Sequence, residues 1–147
     1  MTAAKTIEHS IEIDAPPEWV FRRYRDVSTW SEWDPDTKKA WIEGDFAVGV
    51  KGRLIPSKGM GVPMVITDLT PDRAFTAESK IPLRKMRFIH TLEPTDGGVV
   101  ATHKVELEGS LLWIIGRGLS RQIDEGLPVT LASLKALVES EYRANAV

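Results

Sequence analysis

The sequence predicts an α+β protein in which a curved antiparallel sheet packs against one long C-terminal helix. Three observations support this class. Residues 110–142 carry apolar residues at helical spacing, residues 38–108 alternate with the period of strands, and residues 7–35 combine one strand with two short helices. A chain of 147 residues is long enough for one well-packed core, so we predict a single domain over residues 1–147.

The first strand is predicted from Ile7 to Ile13, where isoleucines alternate with polar residues and His9 falls on the apolar side. Two prolines in Asp14–Glu18 end this strand and open a first helix, because proline fits the first turn of a helix. Ser28–Pro35 is predicted to form a second, single-turn helix that the proline closes.

Six strands are predicted between residues 38 and 108, because apolar and polar residues alternate there between clusters of turn-forming residues. These strands are Lys38–Glu43, Val50–Pro56, Val62–Thr70, Arg73–Lys80, Leu83–Glu93 and Val99–Glu108. The facing of Val62–Thr70 stays open, since both of its alternating sets contain apolar residues.

The last hairpin allows a prediction of register. Asp96–Gly97 is a preferred dipeptide for a two-residue type I′ turn. With that turn, Arg87 faces Glu106 on one side of the sheet and Phe88 faces Val105 on the other. Charge pairing and apolar matching therefore favour the same register.

This register places His90 directly opposite His103 on the apolar face, with their Cβ atoms about 4.5–5.5 Å apart. Counting further back through a turn at Ile81–Pro82 places Phe75 beside Phe88. The face under the long helix would then hold two imidazoles among apolar residues.

The C-terminal helix is predicted from Ser110, which can cap it, to Tyr142. Pro128 predicts a bend near Asp124, and three glycines leave space beside the helix. We interpret that space as a ligand cavity. The apolar stripe comprises Leu112, Ile115, Leu119, Ile123, Leu127, Leu131, Leu134 and Val138.

Composition excludes several classes of function. The chain has no cysteine, which rules out disulfides, thiolate chemistry and cysteine-bound zinc. Its net charge of −2 argues against nucleic acid as a partner, because binding phosphates requires a basic face. No signal peptide or membrane-spanning apolar run is evident, so a cytoplasmic location is expected. The pattern implies no cofactor and leaves the oligomeric state open.

The three histidines, His9, His90 and His103, all fall on inward-facing positions. They are either separate core residues satisfied by local partners or, for the facing pair, polar anchors in an apolar pocket. Zinc on all three would require the first and last strands to be neighbours, and no carboxylate lies at ligand spacing, so no metal site is predicted.

Trp30 and Trp33 are interpreted as plugs at the end of the sheet with each indole N–H bonded to backbone, although stacking on a planar ligand is an alternative. Asp34 is interpreted as a turn-forming residue rather than an acid. No catalytic residue is assigned. An enzyme would have to use His90 or His103 for acid–base chemistry.

The motifs resemble those of a known superfamily. They are the stretch Ile11–Phe21, the segment Trp30–Pro35 and the turn Leu92–Gly98. They are similar to the polyketide cyclase/dehydrase and lipid-transfer families of the START-like (SRPBCC, helix-grip) superfamily. This resemblance implies a seven-stranded sheet in β-α-α-β6-α order, with the first and last strands adjacent and a deep apolar pocket under the C-terminal helix. The superfamily shares no catalytic motif, so no residue role is carried over.

We therefore predict a carrier or sensor for a small hydrophobic ligand such as a lipid, polyketide or quinone. A cyclase or dehydratase using the pocket histidines is the alternative, and an interaction module with a filled core is the third. The predicted ligand-binding residues are His9, Phe75, Met86, Phe88, His90, His103, Ile115, Leu119 and Ile123.

Overall fold

The computed structural model describes residues 3–109 and 112–145, with side chains for 4–109 and 118–145. Seven strands and two α-helices follow one another, and a 3₁₀ helix at Val27–Glu32 takes the place of the predicted single-turn helix. The elements are β1 (Ala3–Ile13), α1 (Pro17–Arg25), β2 (Thr37–Ile42), β3 (Lys51–Pro56), β4 (Val62–Thr70), β5 (Ala74–Ile81), β6 (Arg84–Pro94), β7 (Val99–Gly109) and α2 (Leu112–Asn145).

All seven strands form one antiparallel sheet in the order β1-β7-β6-β5-β4-β3-β2. The predicted α+β architecture is therefore confirmed, including the adjacent first and last strands. Helix α2 packs mainly on β1 and β7 and also contacts α1. A two-pronged ion pair joins the helices, since Arg23 donates to both carboxylate oxygens of Glu141 at 2.7 and 3.1 Å.

The predicted register of the last hairpin is confirmed. Arg87 pairs with Glu106, and His90 pairs with His103. The predicted type I′ turn is wrong, because neither residue of Asp96–Gly97 has the positive φ that this turn requires. Matching of the two strand faces is therefore sufficient to set the register without that turn type.

The predicted register between β5 and β6 is wrong by two residues. Phe75 lies opposite His90 rather than Phe88, because the central turn residues are Pro82 and Leu83. Proline's fixed φ suits the first central position, and Leu83 takes a φ of +68° at the second. The faces are unchanged by a shift of two, but every cross-strand neighbour changes.

Along β4, the facing that the sequence left open is settled by burial. Met64 and Ile66 are buried, so even-numbered residues face the helix up to a bulge between Ile66 and Asp68. The bulge shifts the pairing by one residue beyond this point.

Packing under α2 differs along its length. In its C-terminal half, Leu131, Leu134 and Val138 are fully buried in the main core with α1 and the 3₁₀ helix. In its middle, Leu119 and Ile123 are only partly buried against a small second cluster around Val105. The core is therefore closed at one end of the helix and looser at the other.

Helix α2 continues through Pro128. The predicted bend near Asp124 stays a prediction, and the predicted cap Ser110 lies outside the described residues. In the part of the chain that the structure describes, no helix is long and apolar enough to cross a membrane.

The two glycines after Asp96 are expected to differ sharply in their tolerance of a side chain. A Cβ on Gly98 would lie 2.2 Å from the carbonyl oxygen of Ile13, whereas a Cβ on Gly97 would meet nothing within 4 Å. We expect Gly98→Ala to lower the free energy of unfolding by about 1–3 kcal/mol, because backbone atoms of β1 must move. Gly97→Ala should change it by less than about 0.5 kcal/mol.

Urea denaturation of both variants measures this difference. Equal stability of the two alanine variants would show that Gly98 is not packed closely against the backbone of β1.

Candidate ligand-binding cavity

A cavity of about 310 Å³ lies between the sheet and the middle of α2. It lies beside the part of α2 whose apolar residues are only partly buried. A cavity under this helix, as predicted, is therefore present. The volume is at the lower end of the range for small-molecule sites, roughly 300–1,000 Å³. Its apolar walls comprise Leu54, Val62, Met64, Ala77, Met86, Phe88, Val105, Leu119, Ile123 and Leu127.

Most of the predicted ligand-binding residues line this cavity. They are Met86, Phe88, His90, His103, Leu119 and Ile123. The side chain of Ile115 lies outside the described part of the chain. The remaining two predicted residues, His9 and Phe75, require correction.

Phe75 does not line the cavity, because the β5–β6 register moves it two residues further along β6 than predicted. Its ring is fully buried and stacks on the His90 imidazole, with centroids 4.0 Å apart and planes 5° apart. Phe75 therefore supports His90 from the core side.

His9 pairs with His103 between β1 and β7, so it lies in one row across the sheet with His103 and His90. Its ring does not join the other imidazoles, because β1 is the edge strand and the side chain reaches α2 there. His9 Nε2 lies 2.6 Å from Asp124 Oδ1, and the His9 side chain is 33% exposed. This contact ties the sheet edge to the helix and lies outside the cavity wall.

His90 and His103 contact each other edge to face, with ring centroids 4.6 Å apart. Burial lowers the pKa of His90 to about 3, although the backbone of Phe75 and Phe88 favours its charged form. Burial, and to a lesser degree His90, lowers the pKa of His103 well below its usual value. Both imidazoles are therefore neutral at pH 7.

Tyr24 of α1 holds His103 in place. Its hydroxyl lies 2.8 Å from His103 Nε2, and its ring packs 5.1 Å from Phe75 and 5.3 Å from His90. Burial raises the pKa of Tyr24, so it remains a neutral phenol. Sequence periodicity places Tyr24 on the apolar face of its helix, but it carries no signal for a partner in β7.

Both tryptophans of the 3₁₀ region line the cavity, but the hydrogen bonding of their indole nitrogens differs. Trp30 donates its indole N–H to the carbonyl oxygen of Tyr24 at 2.9 Å, as expected of a plug. Trp33 lines the cavity, and its buried Nε1 has no hydrogen-bond partner among the described residues. The predicted backbone bond is therefore wrong for Trp33. His90 Nδ1 is likewise buried without a partner.

Asp34 joins three elements at one end of the cavity. Its carboxylate accepts hydrogen bonds from the Thr37 hydroxyl, the Asp36 backbone N–H and the Thr130 hydroxyl at 2.8, 3.0 and 3.2 Å. Burial raises its pKa, while these three bonds oppose the rise. The turn-forming interpretation agrees with these contacts, although its position in the cavity wall was not anticipated.

Gly126 lets the neighbouring carboxylate of Asp36 approach α2 closely, because a Cβ there would lie 2.5 Å from Asp36 Oδ2. The space left by this helical glycine is therefore filled by a side chain from the start of the sheet. No group of three histidine, aspartate or glutamate side chains that could hold a metal ion occurs in the described part of the chain.

Residues 4–139 match the family described as "Polyketide cyclase / dehydrase and lipid transport". A comparison with curated proteins gives no match.

Solved structures with similar folds include the di-domain ARO/CYC StfQ from the steffimycin biosynthetic pathway, at 16% identity and a TM-score of 0.78. That alignment covers 97% of this chain and 52% of StfQ, so this chain spans about half of the di-domain protein. Ara h 8.0201 aligns at 15% identity and TM-score 0.73, covering 94% of this chain and 99% of its own.

A point mutant of norcoclaurine synthase from Thalictrum flavum, in complex with a transition-state analogue, aligns at 14% identity and TM-score 0.75, covering 96% of this chain and 98% of its own. These likenesses establish the helix-grip fold and carry no further information about this cavity.

The neutral imidazoles predict how stability depends on pH. A histidine whose pKa is lowered in the folded state stays neutral there while the unfolded chain binds a proton below pH 6.5. The contribution of these imidazoles to the free energy of unfolding is therefore fully present above pH 6.5 and is lost as the pH falls below that value, for His90 down to about pH 3. Each imidazole contributes at most about 1.4 kcal/mol per pH unit to this loss.

We expect His103→Gln to reduce the slope of unfolding free energy against pH by about one such contribution between pH 6 and pH 4.5. Val105→Ala, which removes no titratable group, should be destabilised but keep the wild-type slope. Asp34 acts with the opposite sign and is present in both proteins, so it cancels in the comparison. Urea titrations across pH measure the slopes, and an unchanged slope in His103→Gln would contradict the neutral state of this ring.

Proposed function

Because the chain belongs to the polyketide cyclase/dehydrase and lipid transport family, we propose that it binds a small, mostly apolar molecule under α2 as a carrier or sensor. The observation that carries this proposal is the cavity of about 310 Å³, with apolar walls from five strands and the helix. A filled core, which the interaction-module alternative requires, is not compatible with a space of this size.

The walls would provide most of the binding free energy. Apolar surface removed from water contributes about 25 cal/mol per Å², so a ligand that fills the space gains several kcal/mol without a charged contact. The polar groups in the wall would then orient the ligand rather than hold it.

The alternative of a cyclase or dehydratase is less well supported. A general base works best when its pKa is near the working pH. The pKa of His90 is lowered to about 3 and that of His103 is also well below its usual value, which makes both imidazoles weak bases. We therefore favour binding without conversion.

A substitution that fills the cavity should abolish binding. Leu119 lines the cavity from α2, whereas Val129 on the same helix is 56% exposed and outside the wall. We expect Leu119→Trp to weaken binding of the neutral fluorescent probe 1-aminoanthracene at least tenfold, because the indole occupies the ligand's place. Val129→Trp should bind the probe like the wild type.

Fluorescence titration gives the two dissociation constants, and thermal unfolding checks that both variants are folded. Native mass spectrometry of freshly purified protein then gives the mass of any natural ligand. Equal probe binding by both variants, or absence of saturable binding by the wild type, would refute the proposed site. Conversion of a recovered ligand by the wild type but not by His103→Gln would favour the enzyme instead.

A further inference from the structure

We propose that the ligand presents an uncharged hydrogen-bond acceptor, such as a ketone, quinone or ester carbonyl oxygen, to an N–H group on Nδ1 of His103. This inference rests on the proposed binding function and specifies the chemistry of the ligand at the imidazole end of the cavity.

The hydroxyl of Tyr24 determines the tautomer of His103. Tyr24 is fully buried, and His103 Nε2, at 2.8 Å, is the only hydrogen-bond partner of its hydroxyl among the described residues. If Nε2 carried the proton, it would donate to the phenol oxygen and leave the phenol hydrogen buried without an acceptor, at a cost of about 1–3 kcal/mol. Tyr24 therefore donates to Nε2, and the ring proton of neutral His103 is on Nδ1.

Because Nε2 accepts the hydrogen bond from Tyr24, Nδ1–H is the donor of the His103 ring that remains available to a ligand. His103 lines the cavity, and its ring makes no other hydrogen bond within the described part of the chain. Trp33 is in the same wall, and its indole nitrogen, which can only donate, is buried without a partner. The N–H groups of His103 and Trp33 are both satisfied by a ligand that brings an acceptor, whereas a ligand that brings a further donor leaves them unpaired.

The acceptor is uncharged because neither imidazole offers it a positive charge. Both imidazoles are neutral at pH 7, and the carboxylate of Asp34 lies in the same wall. Three cationic residues line the cavity: Lys58 in the β3–β4 loop, Arg84 at the start of β6, and Lys104 in β7. Arg84 is six residues from His90 along β6, about 20 Å away. Lys104 directly follows His103, so its side chain points to the opposite face of the sheet. A carboxylate at Nδ1 of His103 would thus be desolvated beside a neutral ring, in the same wall as the carboxylate of Asp34.

Three naphthalene derivatives of similar size test the preference by displacement of 1-aminoanthracene at pH 7. 2-Acetylnaphthalene carries the carbonyl oxygen, 2-isopropenylnaphthalene replaces that oxygen by CH₂, and 2-naphthoic acid is anionic. We expect the ketone to bind about tenfold more tightly than the alkene, although the alkene is the more hydrophobic, and more tightly than the acid. Tyr24→Phe should reduce the ratio between ketone and alkene toward one, because the ring proton of His103 is then free to occupy either nitrogen.

Nitrogen-15 NMR of the histidine rings in the wild-type protein provides a readout that needs no ligand and no variant. We expect the His103 signals at pH 7 to show a protonated Nδ1 and an unprotonated Nε2. A protonated Nε2, or equal binding of the ketone and alkene, would overturn this inference while leaving the proposed cavity site intact. If neither the probe nor any naphthalene binds, the proposed function fails, and the NMR result still decides the tautomer.

Discussion

Two imidazoles that face each other across β6 and β7 must both remain uncharged for the interior to keep its arrangement. His90 is held between the ring of Phe75 and that of His103, and the hydroxyl of Tyr24 occupies one nitrogen of His103. Protonation of either ring would place a charge among aromatic side chains, with no anion in contact with it among the described residues. The position of α1 is linked to this pair through Tyr24, and the indole of Trp30 donates in turn to the backbone of Tyr24. The polar pair is thus part of the core and part of the cavity wall at once.

The cavity follows from unequal packing along one helix. The C-terminal half of α2 is anchored by buried Leu134 and by the ion pair between Glu141 and Arg23 of α1. The middle of the helix lies over a sheet face whose side chains do not fill the space. A closed core at one end and a cavity at the other can therefore share a single apolar stripe, since the stripe specifies which face is buried but not how tightly.

The fold and the register of the last hairpin were accessible from the sequence because they depend on short-range patterns. Alternation identifies strands, helical spacing identifies α2, and pairing of Arg87 with Glu106 together with apolar matching leaves one register for β6 and β7. The β5–β6 register was not predicted correctly, because a turn displaced by one residue shifts the pairing by two and leaves the faces unchanged. Phe75 therefore kept its inward facing but moved from the cavity wall into the core.

By itself the sequence determined the α+β class, the order of elements, the apolar face of every element except β4, and the opposition of His90 and His103, because each is encoded by residues close in the chain or paired across one hairpin. Only the tertiary structure decided which inward-facing residues reach the cavity. The bond between Tyr24 and His103, the unpartnered indole nitrogen of Trp33 and the turn of His9 toward Asp124 join segments far apart in the chain. No local periodicity carries information about such contacts, since they depend on how helices are placed over the sheet.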